Sequence, residues 1–294
     1  MFRRAPQLDL SAREAIVGLL GAPLFELIPL KSVDPQLAFL PAGATVSVTA
    51  SPAKGIEATV ELSVRLAERG FSAVPHLSAR MIRDRAHLRS LLASLAAAGI
   101  RQVFVVGGDS EQPGEFPDGL SLLRALAELG HPFTEVGIPG YPEGHPTIPD
   151  DRLLASLAEK QPFATSMTTQ LCFDAGAIRS WLLARRAAGI SLPVTLGIPG
   201  VAELRRLIEI SARIGVRDSR RFVSKNTGLV GRILRPGGYR PDGLLADLAP
   251  LLVDPIADVR GLHLYTFNQV ETTEEWRQAY LAGLAALGTA APAS

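Results

Sequence analysis

With 294 residues, 47% of them hydrophobic and 20% charged, the chain can bury a large core; it is long for one ordinary domain but the right length for a barrel of alternating strands and helices. A net charge of +1, with 30 basic residues scattered along the chain, excludes the concentrated basic stripe of a nucleic-acid surface, and no apolar run approaches the ~20 residues that cross a bilayer. The single cysteine, Cys172, can form neither an internal disulfide nor a multi-thiolate metal site, which fits a reducing, cytoplasmic setting.

The opening stretch MFRRAPQLDLSAREAIVGLLG is basic and then weakly apolar, and its polar residues interrupt what would be a secretory core. It is expected to form a helical extension over 1–22 that covers the bottom of the fold. Short apolar runs then alternate with longer amphipathic ones. LFELIP (24–29), TVSVTA (45–50), SAVPHL (72–77) and QVFVVG (102–107) read as four strands, and FTEVGI (133–138), FATSMT (163–168), PVTLGI (193–198) and GLHLYTF (261–267) as four more. Between them lie helical patterns: IEATVELSVRLAERG (56–70), RAHLRSLLASLAAAG (85–99), LSLLRALAELG (120–130), AIRSWLLARRAAG (177–189) and VAELRRLIEISARIG (201–215). Each of these closes on the glycine expected just past a helix end. The irregular stretch KNTGLVGRILRPGGYRPDGLLADLAP (225–250) is expected to add helices before the last strand. Eight strand-helix units without a linker predict one α/β domain over 1–294, a (β/α)8 TIM barrel occupying 24–288.

In such a barrel, chemistry collects at the C-terminal ends of the strands and in the loops that follow. Polar residues fall there repeatedly. Glu26 lies in strand one, Thr49 and Ser51 end strand two, His76 ends strand three, and Asp109 follows Gly107 and Gly108 after strand four. The loop GYPEGHP after strand five carries Tyr141, Glu143 and His145; Thr169 and Gln170 end strand six; Asn268, Gln269 and Glu271 follow strand eight. Each also has a plainer reading. Glu26 could be a partnered structural acid, His76 a satisfied core histidine, Asp109 a turn or helix cap, and GYPEGHP a rigid loop. VVGGD lacks dinucleotide-fold spacing, no Walker motif occurs, and the five histidines include no H-x-H or H-E-x-x-H pair, so no metal site is expected.

Taken in order, FELIPLKS, SVTASPAKG, VPHLSAR, VVGGD, GYPEGHP, TTQLCFD and GLHLYTFNQVE resemble the methylenetetrahydrofolate reductase family, and their wording is most similar to its short actinobacterial, mycobacterial-type branch. The resemblance implies a cytoplasmic barrel that passes a hydride from NADH or NADPH, by way of FAD, to the methylene carbon of methylenetetrahydrofolate, acting as a monomer or small homo-oligomer with no nucleic-acid or membrane partner. It places Glu26 on the general acid and Asp109 on the acid near folate and flavin. Gln170, Phe173, Asn268 and Gln269 fall on the folate side, and Thr49, His76, Gly108, Asp109, Tyr141, Glu143 and His145 on the cofactor surroundings. Three departures concern FAD: Gly107 stands where the family usually carries an arginine, HLSA replaces HLTC at 76–79, and the first crossover between Glu26 and Thr49 is short. The other readings are a different flavin-linked barrel oxidoreductase, similar to proline dehydrogenase, and a non-catalytic folate-binding partner subunit.

The implied chemistry suits these residue types. Ring opening of the substrate needs a proton on the departing nitrogen, and a carboxyl withdrawn from water keeps its proton more readily. A second, ionised carboxylate can stabilise the cation that forms, and glycines beside it let a flat ring approach the backbone. A glutamine offers one donor and one acceptor to the pterin edge.

Overall fold

The computed structural model describes residues 8–201 and 239–289. Eight parallel strands close a barrel in chain order: β1 Leu24–Leu27, β2 Thr45–Val48, β3 Ser72–Ser78, β4 Gln102–Val106, β5 Glu135–Gly140, β6 Ser166–Thr169, β7 Val194–Pro199 and β8 Val259–Tyr265. The described helices are α1 Leu10–Gly21, α2 Gly55–Glu68, α3 Arg85–Ala97, α4 Gly119–Leu129, α5 Asp150–Lys160, α6 Ala175–Ala187, α7 Asp242–Leu252 and α8 Val270–Thr289. The predicted TIM barrel is therefore the fold. The helix expected over 201–215 falls outside the described residues from 202 onward. So does most of the irregular 225–250 stretch, whose end forms α7.

Local chemistry explains where the helices start. Asp84 accepts from the His87 N–H at 2.7 Å to cap α3, Asp118 and Ser121 form a reciprocal capping box on α4, and Asp174 accepts from the Gly176 N–H at 2.8 Å to cap α6. Strand boundaries move by a few residues from the sequence reading. β5 begins at Glu135 because the Thr134 N–H is already held by the Arg101 carbonyl at 2.8 Å. Ahead of β6, Pro162 favours a 3-10 turn over Gln161–Phe163, which delays the strand to Ser166. β8 stops at Tyr265 because Phe267 and Asn268 turn into the left-handed region with φ of 52° and 56°.

Within the strands the pleat sorts side chains by period two. Phe25, Leu27, Val46, Val48, Val103, Val105, Leu262 and Leu264 are buried. The residues between them line the lumen, where Gly137 and Gly261 leave space and Ser47, Thr168, Thr195 and His263 supply polar groups. A cavity of about 270 Å³ occupies the N-terminal half of this lumen. α1 packs against α7, α8 and β8, and its C-cap residue Ala22 reaches the cavity lining.

Candidate active site

The strand register brings the first group of polar residues together. Glu26 of β1 pairs in register with Ser47 of β2 on one side and Tyr265 of β8 on the other. The residue is 7% exposed, and Oε2 lies 3.2 Å from Nε2 of His263. Thr266 Oγ1 donates to the Glu26 backbone carbonyl, which fixes the strand that carries the acid. Glu26 is thus a buried carboxyl held at one oxygen by one imidazole. No other lumen carboxylate stands in register with it.

His76 occupies the same interior. Its Nε2 lies 2.6 Å from Ser47 Oγ, and its ring packs against Phe104 with centroids 4.7 Å apart. Burial, and to a lesser degree the nearby His263, lowers its pKa to about 3, so it stays neutral through the physiological range. Tyr265 donates its hydroxyl to the Thr169 carbonyl at 3.2 Å, and burial, with the charge of Glu26, raises its pKa well above that of free tyrosine. Gly197 makes that arrangement possible, because a Cβ there would stand 2.2 Å from the Thr169 carbonyl and 2.7 Å from the Tyr265 ring.

A second group lies on the rim of β4 and β5. Asp109 is exposed and follows Gly108, whose φ is 86° and whose Cβ, if present, would stand 1.9 Å from Ser78 Oγ. Glycine is needed at 108 on both counts. Ser78 Oγ itself is buried without a hydrogen-bond partner. Tyr141 faces Asp109 electrostatically: burial first, and then the Asp109 charge, push its hydroxyl up to about 12. Its ring meets His145 edge-on at 5.4 Å, and His145 Nδ1 lies 3.2 Å from Thr147 Oγ1. Glu143 is exposed and lies beside Cys172, whose thiol is raised to about 12 mainly by burial. Cys172 is therefore a packed core residue rather than a nucleophile.

The remaining predicted residues divide. Gln170 is exposed at the end of β6, with its backbone N–H held by the Gly140 carbonyl at 2.7 Å. Phe173 is buried against Tyr239, with ring centroids 5.0 Å apart. Thr49 is half-buried; its N–H donates to Leu27 and its carbonyl accepts from Thr59 Oγ1. Asn268 uses both ends of its amide on Ile28, accepting from the N–H at 2.8 Å and donating to the carbonyl at 2.9 Å. It is a clamp between the ends of β1 and β8. Its neighbour Gln269 keeps a buried Nε2 with no partner, a donor open to a ligand.

Reading the sequence for strand ends missed Ser47, His263, Tyr265 and Thr266. Their signal is the polar residue at every second position of TVSVT and LHLYT, which is unusual in parallel strands covered on both faces. Among the described residues no group of three His, Cys, Asp or Glu could hold a metal ion, and no helix is long and apolar enough to cross a membrane.

The family model for methylenetetrahydrofolate reductase matches residues 34–224, nearly two thirds of the chain. Curated methylenetetrahydrofolate reductases are similar to it. A 5,10-methylenetetrahydrofolate reductase of Pectobacterium carotovorum subsp. carotovorum is 27% identical over 209 residues, which are 69% of this chain and 67% of that protein. Methylenetetrahydrofolate reductase 1 of Schizosaccharomyces pombe is 27% identical over 58% of this chain and 29% of its own length. A probable methylenetetrahydrofolate reductase (NADPH) of Caenorhabditis elegans is 28% identical over 39% of this chain and 19% of its own. The matches thus span about two thirds of the bacterial relative and less than a third of the other two.

Proposed function

We propose, from the premise that this chain belongs to the methylenetetrahydrofolate reductase family, that it reduces 5,10-methylenetetrahydrofolate to 5-methyltetrahydrofolate with hydride from NADH or NADPH. The observation that carries the reading is a buried glutamate at the end of β1, held by His263, in a chain whose matched region spans most of the barrel. In that reading Glu26 gives its proton to the nitrogen that leaves the methylene carbon. The pair of the breaking C–N bond stays on that nitrogen, and the lone pair of the other ring nitrogen forms an iminium. Hydride then adds to the iminium carbon with its own electron pair.

The groups after β6 and β8 serve binding. Gln170 and the open Nε2 of Gln269 suit the donor and acceptor edge of the pterin, and Phe173 suits an apolar face. NADH or NADPH supplies the hydride when bound. The matched flavin positions fit a resident FAD poorly. His76 is taken up by Ser47, and Glu143 adds negative charge beside Cys172. Arg80, whose N–H bonds the Gly107 carbonyl, directs its guanidinium to the carbonyls of Ser110, Glu111 and Pro117. No step is assigned to FAD.

The direct test is oxidation of NADH and NADPH, followed by absorbance, with and without methylenetetrahydrofolate and with and without added FAD. Folate-dependent oxidation is expected with at least one nucleotide. Its absence under every condition, with folate still bound, would make the chain a binding subunit instead.

Asp109 supplies a sharper test of the rim. If it only turned the chain, Asp109→Asn would cost under about 1 kcal/mol of stability and leave activity nearly unchanged, because asparagine also favours turns and caps. Facing a developing iminium under bound substrate, its charge is worth more. We expect folate turnover to fall at least roughly tenfold, about 1.4 kcal/mol in the barrier, with little change in melting temperature. Parental activity in this variant would return Asp109 to a turn residue.

A further inference from the structure

The reduction consumes one proton per turnover, so an acid that protonates the leaving nitrogen must be recharged each cycle. Glu26 has two ways out to solvent. The upper one runs through the catalytic mouth, which substrate and nicotinamide would cover. The lower one begins at His263. This histidine is 2% exposed, presents Nε2 to Glu26 at 3.2 Å, and lines the 270 Å³ cavity that fills the N-terminal half of the lumen. Its other nitrogen, Nδ1, is buried without a partner in the protein. This orphaned nitrogen belongs to a residue on the wall of a cavity that Ser47, Thr168 and Thr195 also line; an ordered water satisfies such a group, and a cavity of this size holds several waters.

Among the described residues, the titratable groups around His263 leave one path. His76, held at Ser47, has its pKa lowered to about 3 by burial and the nearby His263, and so does not take up a proton near neutrality. Tyr265, whose ring lies tilted against that of His263 with centroids 4.6 Å apart, has its pKa pushed far up by burial and does not release one. Glu135, the acid on the cavity wall, is exposed at the lower end, where it meets solvent. Between solvent at Glu135 and the carboxyl of Glu26, the imidazole of His263 is the remaining carrier.

We infer that His263 is a relay residue that returns a proton to Glu26 through water in the lumen, from the face of the barrel opposite the catalytic mouth. The inference rests on the reading of Glu26 as the acid of a folate reduction. In the transfer, Nδ1 of His263 takes a proton from a lumen water that is itself resupplied by solvent, and Nε2 gives its proton to the Glu26 carboxylate. The ring resets by rotating about its Cβ–Cγ bond, which brings the protonated nitrogen to Glu26 and turns the bare one to the lumen. No oxidant or reductant takes part. Substrate enters at one end of the barrel and the proton at the other, so recharging does not wait for product to clear the upper mouth.

The experiment is rapid-mixing kinetics of the purified protein with NADH or NADPH and methylenetetrahydrofolate, comparing the first turnover with the steady state. In His263→Gln the amide still hydrogen-bonds Glu26 but cannot carry a proton through. The first turnover should run near the parental rate, because it does not depend on recharging the acid through His263. Later turnovers should slow by at least roughly tenfold, giving a burst of one product per site. Ser166→Leu, which narrows the cavity away from Glu26, should show the same burst and slowing, and it decides the matter if His263→Gln fails to fold by circular dichroism. An unchanged steady state in the folded variants would overturn the relay. So would a first turnover slowed as much as the later ones, which would make His263 a positioning residue for Glu26 only. A parent without folate-dependent turnover removes the reductase reading and the relay with it, whereas an active parent with unaffected variants removes the relay alone.

Discussion

Glu26→Gln is expected to lower folate-dependent oxidation of NADH or NADPH by about 10²- to 10⁴-fold, on the order of 3 to 5 kcal/mol in the barrier, while leaving the melting temperature nearly unchanged. The amide has the size of the acid and can still meet Nε2 of His263, so packing at this 7%-exposed position survives. What the amide lacks is a transferable proton. The effect should fall on turnover rather than on folate affinity, because the proton matters only as the C–N bond breaks. Titration of folate binding by fluorescence beside the steady-state assay separates the two. Turnover near the parental value would make Glu26 a structural partner of His263.

The second large effect is on stability. Arg277→Ala should destabilise the protein by about 3 to 5 kcal/mol, read as a lower urea midpoint. Arg277 and Glu274 of α8 form a bidentate pair at 2.6 and 2.7 Å, with both side chains less than 10% exposed. The third arm of the guanidinium donates to the carbonyls of Leu20 at 3.0 Å and Gly21 at 3.2 Å, closing the C-terminus of α1. Alanine would leave a buried carboxylate without its counter-charge and two carbonyls without a donor. Replacing both partners together, as in Arg277→Met with Glu274→Leu, removes the stranded charge and should recover most of the loss. If the single and double variants unfold at the same urea concentration, the pair is not what joins α1 to α8.

The barrel was legible because its signals are local and repeated. Apolar runs of strand length, amphipathic stretches of helix length and a glycine past a helix end are each decided within a dozen residues, and Gly70, Gly99, Gly130 and Gly189 do take positive φ. Strand ends were less legible. Pro162 and the Arg101 carbonyl decide where β6 and β5 begin, and the second of these is a contact 33 residues away. Glu26 could be singled out in the sequence as an acid in an apolar run, and Asp109 as an acid beside two glycines. The sequence by itself determined the order of elements, the family motifs and the presence of both carboxylates, since these need no knowledge of what lies across the barrel. Only the tertiary structure decided that Glu26 is buried against His263 while Asp109 stands in solvent, that His76 belongs to Ser47, and that Asn268 clamps Ile28. Glu26 and His263 are 237 residues apart, and they meet because β1 and β8 pair to close the barrel, a register that depends on every strand between them.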